Sequence, residues 1–218
     1  MAADSDARRQ IITATLDLTA ERGWMETRLA DIAAACGLSL AELYRRYTSR
    51  QAIVADLGSL VDEDVLDAPA SDTADEPVPD RLFDLLMRRF DALQPFKPGL
   101  AALARTGRGD PLLLCAGGAS LMRSMRWTLE AAGIGGEGIG GRMRTRGLAM
   151  IYLDVLRVWL DDDSEDLGRT MAALDRDLKR ADRLMGICNR RDFAGFRRRE
   201  GAPDTPPPPD TEPAAHPT

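Results

Sequence analysis

Histidine is almost absent from this 218-residue chain: the single one, His216, stands in a proline-rich tail. No Ser/His/Asp, Cys/His or histidine-ligated metal site can be assembled around it. Nothing singles out a carboxylate-only enzyme either, so neither an enzyme nor a cofactor is expected. Lysine is nearly as scarce. Lys97 and Lys179 are the two, so arginine supplies almost all of the 29 basic residues. The three cysteines, Cys36, Cys115 and Cys188, are far apart and lack ligand spacing. They read as reduced thiols, not as a disulfide frame or a zinc site. Long apolar runs are missing too: the longest uncharged, largely apolar stretch covers residues 111–122, short of the roughly 18–20 that a membrane span needs. Residues 1–10 are polar with no apolar centre, so no secretory signal is expected there and a cytoplasmic location is.

With 44% hydrophobic and 29% charged residues, the composition suits a folded protein. A net charge of -6 argues against non-specific coating of nucleic acid but leaves room for a local basic surface. Helical periodicity dominates and no alternating strand pattern stands out, so the fold class is all-α. Ile11, Ala14 and Leu18 recur at helical spacing over residues 8–22, and Gly23 ends that helix, with Trp24 free to pack back on its apolar face. Leu29, Ile32 and Ala33 form a second short stripe ended by Gly37. Ser39 is placed to cap a third helix through Tyr47, and Ser49 to restart a fourth that carries Ile53, Leu57, Leu60 and Val61.

The remainder divides further. Residues 67–79 change to Ala, Pro, Asp and Ser, the composition of a linker. An amphipathic helix with Leu82, Leu86, Phe90 and Leu93 follows, broken by Pro95 and Pro98. A long helix spans 111–132, a glycine-rich loop 133–141, and a helix over 142–160 is apolar almost all round, as a buried central helix would be. Ser164 is expected to cap the last long helix, which ends near Ile187. The predicted organisation is a helix-turn-helix domain at 1–50, a connecting helix at 51–66 and a linker at 67–79. A larger helical ligand-binding and dimerisation domain follows at 80–200, then a disordered Pro-rich tail at 201–218.

The most specific segment runs over residues 28–47, R-L-A-D-I-A-A-A-C-G-L-S-L-A-E-L-Y-R-R-Y. Two short helices meet at Gly37-Leu38-Ser39: glycine relaxes the corner, Leu38 fills the angle and Ser39 caps the second helix. That geometry lets the second helix project into a major groove about 12 Å wide. Hairpins with a glycine corner also occur in enzymes, and spacing alone does not separate the two readings.

Across about residues 8–66 the sequence resembles the TetR family of repressors. The match includes I-I-x-A-x-L-x-L in the first helix, E-R-G-W at 21–24, L-A-D-I-A at 29–33, G-L-S at 37–39, L-Y-R-R-Y at 43–47 and S-R at 49–50. The resemblance implies a three-helix DNA-binding head before a helical ligand-binding and dimerisation domain, and a double-stranded DNA operator as partner. It puts Thr27, Arg28, Ser39, Leu40, Glu42, Tyr44 and Arg45 on or beside the DNA-facing surface, with Arg46 and Arg50 at phosphate-contacting positions. The chain departs from the family in having Arg28 where a hydroxyl cap is usual, and Leu40-Ala41-Glu42 where Lys-Gly-Thr is typical. Leucine cannot hydrogen-bond a phosphate and Glu42 is repelled by one, although it can accept from a cytosine amine. Within residues 1–54 seven acids stand against seven arginines, thin for a phosphate-binding surface.

Residues 144–184 resemble the distal half of Coq-type lipid-binding proteins, which assist ubiquinone biosynthesis with a TetR-like fold. Tyr152, Val155, Leu156 and Trp159 can line a pocket for a small apolar or lipid ligand, or simply fill a core. Asp154 and Arg157, one turn apart, can orient a polar head or form an internal ion pair. The basic stretch at 190–199, with Phe193 and Phe196, reads as an exposed helix end or as a weak membrane-surface contact. Two patterns mislead. Gly133-x-Gly135-x-x-Gly138 matches a dinucleotide fingerprint but follows a helix and lacks the βαβ setting. Asp161-Asp162-Asp163 lacks calcium-loop spacing and suits the approach to a helix. The leading expectation is a homodimeric, ligand-responsive TetR-type repressor. The alternative is a lipid- or isoprenoid-binding accessory protein with a vestigial helix-turn-helix.

Overall fold

In the first helix, α1 (Ala2–Arg22), Ile11, Ile12 and Leu16 turn inward together with two threonines. The hydroxyls of Thr15 and Thr19 donate to the carbonyls of Ile11 and Thr15, each at 2.8 Å, so their burial leaves no polar atom unpaired. The computed structural model describes residues 2–67, 77–135 and 137–189, and every regular element among them is helical. After a short 3-10 turn at Trp24–Glu26 come α2 (Leu29–Ala35), α3 (Leu40–Arg46) and α4 (Arg50–Asp67). The body consists of α5 (Val78–Leu93), α6 (Lys97–Thr106), α7 (Pro111–Ala131), α8 (Gly138–Leu160) and α9 (Gly168–Asn189). Residues 1–181 form one unit. Residues 182–218 form another, of which the last turns of α9 are described. Residues 68–76 of the expected linker, the basic stretch at 190–199 and the tail at 201–218 lie outside the described residues.

The head is joined to the body by close helix crossings. α6 lies against α1, and α4 runs along α7. Gly99 makes the first crossing possible: a Cβ there would fall 2.5 Å from Leu16 Cβ and 2.6 Å from the Leu16 carbonyl oxygen. α5 ends at Leu93, before the prolines expected to break it, but the helix α6 that follows directly was not anticipated from the sequence. The chain makes one 3-10 turn at Gln94–Phe96, and Pro98 then occupies the first turn of the new helix, where its missing N–H is no loss.

The core of the body is built around Phe90 on α5. Its ring stacks on Tyr152 with centroids 5.2 Å apart and lies 5.8 Å from Trp159, both on α8. Leu86, Met125, Val155 and Leu174 complete a solvent-free cluster, each side chain contributing roughly 1.5–3 kcal/mol by burial. Beside it lies a polar group: Arg89 pairs with Asp62 and donates to Ser124 Oγ at 3.1 Å, and Ser124 donates to Asp62 at 2.7 Å. The Arg89 guanidinium sits 5.5 Å from the Tyr152 ring centroid. Four helices, α4, α5, α7 and α8, therefore share one buried ion pair.

Four further expectations need correction. α8 starts at Gly138, so the glycine-rich loop is shorter than 133–141. α8 is not buried all round: Ile139, Met143 and Met150 lie exposed along one face. Ser164 does not cap α9. That work falls to Asp162, which is buried and accepts from the amide and hydroxyl of Thr170 at 2.9 and 2.7 Å and from the Ser164 hydroxyl at 2.6 Å. Those bonds, the Ser164 hydroxyl first, hold the Asp162 carboxyl well below the usual carboxylate range. Asp154 and Arg157 form a surface pair at 3.5 Å, not an internal one.

Candidate nucleic-acid interface

The corner between α2 and α3 is closed by backbone bonds. Gly37 has φ +68, and its amide and that of Leu38 donate to the carbonyls of Ala34 and Ala33 at 3.1 and 2.9 Å. This is the glycine-terminated helix end in which two otherwise orphan carbonyls are satisfied. Ser39 then starts α3 with reciprocal bonds. Its hydroxyl accepts from the Glu42 amide at 3.2 Å, while the Glu42 carboxylate accepts from the Ser39 amide and hydroxyl at 2.8 and 2.6 Å. The Ser39 bonds keep the Glu42 carboxyl ionised below its ordinary range. Leu43 is buried, next to the core residues Ile32 and Ala33. The opposite face, Leu40, Glu42, Tyr44, Arg45 and Arg46, is exposed.

The cations of the head are mostly committed to internal partners. Arg8 bonds Asp56 at 2.7–2.8 Å and Glu63 at 2.6–2.8 Å, Arg9 bonds Asp64, and Arg22 lies 3.9 Å from Asp31. Arg46, expected at a phosphate, pairs with Asp4 at 2.5 Å. That pair borders an open cleft of about 550 Å³ lined also by Arg8, Glu42, Arg45 and Tyr47. The Tyr47 hydroxyl donates to Asp56 at 2.6 Å, and burial together with that carboxylate pushes its pKa up. Arg28 is exposed at the start of α2, without a side-chain cap bond. Among the described residues, Arg28 and Arg45 are the head arginines without an ion pair or a bond to a carbonyl.

Two expected surface residues face inward instead. Thr27 is buried, and its hydroxyl donates to the Gly23 carbonyl at 2.9 Å. Arg50 donates to the carbonyls of Trp24 and Thr27 at 2.5 and 2.6 Å, and its guanidinium lies 4.4 Å from the Trp24 ring centroid. It braces the turn before α2; in this arrangement it does not reach outward. The reason is local: the 3-10 turn gives the Trp24 carbonyl a single backbone bond, from the Thr27 amide at 3.3 Å, and the Arg50 Nη1 group adds a charged donor to it and to the Thr27 carbonyl.

Sequence reasoning missed Asp110. Its carboxylate accepts from the Trp24 indole at 2.9 Å and the Gln51 amide at 2.8 Å, and caps α7 through the amides of Leu112 and Leu113. The Trp24 bond leads the causes that keep this carboxyl below its usual range. Thr106 Oγ1, at the end of α6, accepts from the Trp24 amide at 2.9 Å. The available signal was Asp before Pro at a helix start. Its partners lie 59 and 86 positions away in sequence, where no local pattern reaches. In the body, Tyr152, Val155 and Trp159 are buried in the core and Leu156 is half-buried. Trp159 Nε1 and Arg89 Nε are buried without an acceptor among the described residues.

Residues 11–57 match the model of the bacterial regulatory proteins, tetR family. A TetR transcriptional regulator from Nitrosomonas europaea superposes with a TM-score of 0.64 at 24% identity, over 80% of this chain and 97% of that one. The protein has the TetR fold. A TetR regulator from Rhodococcus sp. RHA1 gives 0.59 at 16% identity, over 81% and 96%. One from Streptomyces coelicolor gives 0.58 at 18%, over 89% and 87%. No curated protein matches the chain. The matched segment begins within α1 and ends within α4, and α2 and α3 form its helix-turn-helix. The likeness of residues 144–184 to Coq-type proteins finds no support in these comparisons.

Proposed function

We propose that this protein is a cytoplasmic, homodimeric DNA-binding transcriptional regulator, a repressor whose operator affinity falls when a small apolar ligand enters the C-terminal core. The observation that carries the reading is α3: a short helix, capped by Ser39 after the Gly37 corner, with an open outer face, inside the segment that matches the tetR family. In such heads the residues at the start of the second helix reach base edges. Arg45 and Arg28, without internal partners, serve the phosphates, and Arg46 joins them once it leaves Asp4. Dimerisation is supported by the stripe of Ile139, Met143 and Met150 along α8, with Met171 on α9 partly open as well; two-fold pairing covers such faces. Ligand control is supported by two of the three buried donors without acceptors among the described residues, Arg89 Nε and Trp159 Nε1, in the neighbourhood of Tyr152 and Val155. A buried donor left unpaired costs about 1–3 kcal/mol, which a ligand bearing an acceptor oxygen recovers. The test is genome-wide recovery of DNA bound to the protein. Discrete, palindromic sites are expected, and the absence of any enriched site sinks the regulator reading.

A further inference from the structure

Resting on the reading of α3 as a DNA-facing helix, the outward side chains indicate which base feature it takes. Leu40 opens the helix and is 54% exposed; Tyr44, one turn on, is 69% exposed, so the two stand side by side on one face. Ala41 between them carries no polar group. The carboxylate of that first turn, Glu42, is held back against the helix start by the amide and hydroxyl of Ser39, both bonded to its Oε2. The first turn of α3 thus presents Leu40 and Ala41 as apolar surface beside that tethered carboxylate. Beside this patch is Arg45, exposed and without an ion pair among the described residues, a charge that suits a polyanion better than an apolar protein surface. In the major groove the apolar feature that distinguishes bases is the thymine C5-methyl group.

We infer that Leu40 and Tyr44 form a thymine-methyl-reading pair, so that operator half-sites place thymine beneath the first turn of α3. The experiment uses the full chain and duplexes selected by it from a random pool, with each thymine replaced in turn by deoxyuridine, which deletes the methyl group and nothing else. At one or two positions per half-site the affinity falls about fourfold, the size expected for losing one buried methyl. In Leu40→Ala that sensitivity disappears, whereas Leu40→Met keeps it. Leu40→Ala carries no change of charge, so its salt slope stays that of the wild type. Selected sites that bind equally well with deoxyuridine at every position overturn the inference while leaving the regulator reading intact. A pool that yields no enriched sequence overturns both.

Discussion

The head and the body solve the problem of charge in opposite ways. In α1–α4 the arginines lie near the surface and find carboxylates far away in sequence: Arg8 with Asp56, Arg9 with Asp64, Arg46 with Asp4. In the body one arginine, Arg89, goes inside and is matched by Ser124 and by Asp62 of α4 among aromatic rings. Exposed pairs contribute little to stability and can be exchanged for other partners; a buried one is hard to replace. The head is therefore built from exchangeable contacts, as the proposed binding of phosphate would require, whereas the body holds its arrangement through packing.

The contrast is broken most directly by truncating one aromatic on each side. Phe90→Ala should cost about 3–5 kcal/mol in a denaturant melt, whereas Tyr44→Ala should stay within about 0.5 kcal/mol. Comparable losses would mean that the outer face of α3 is packed after all. Next comes acid sensitivity. The carboxyls of Asp162 and Asp110 are held below their ordinary range, so the stability they add is full above the unfolded value of about 3.9 and is lost as pH falls through their lower folded values. Asp162→Asn should lower the melting temperature at pH 7 and flatten the fall between pH 4 and pH 2, each to about one unit of pH. An unchanged acid limb removes Asp162 from the capping of α9.

Smaller effects sharpen the comparison within the head. Arg45→Ala should reduce the salt slope of DNA binding by about one unit, and Asp4→Ala, which frees Arg46, should raise it by up to about one. Arg50→Ala should lower stability instead, because its bonds go to Trp24 and Thr27; a fall in salt slope without destabilisation would put Arg50 back on the DNA face. The least effect is expected from Arg157→Ala, within about 0.5 kcal/mol in the same melt, since its pair with Asp154 is open to water.

What was legible in the sequence follows the range of the interactions. The α2–α3 corner could be read because Gly37, Ser39 and Glu42 act within three or four residues of one another. The apolar stripe of α5 and the burial of Trp24 were readable for the same reason. α6 was hidden because prolines look the same whether they end a helix or begin one. Asp162 was overlooked for Ser164 because both precede α9, and the choice rests on which of them reaches Thr170. The inward turn of Arg50 and the pairing of Arg46 with Asp4 depend on how helices distant in sequence are placed. Position in a family motif therefore indicated location better than orientation.

The bond from Trp24 to Asp110 sets a mechanical limit. α7 has 21 residues and is about 32 Å long, with Asp110 at one tip and Ala132, whose carbonyl accepts from Arg81 at 2.8 Å, at the other. A swing of about 10° around the Ala132 end would carry the Asp110 tip about 5 Å, well beyond the reach of any hydrogen bond. The indole bond cannot stretch to follow such a swing. Either the head travels with the rod or the link parts, so the Trp24 bond survives a motion of α7 only if the turn before α2 moves with it.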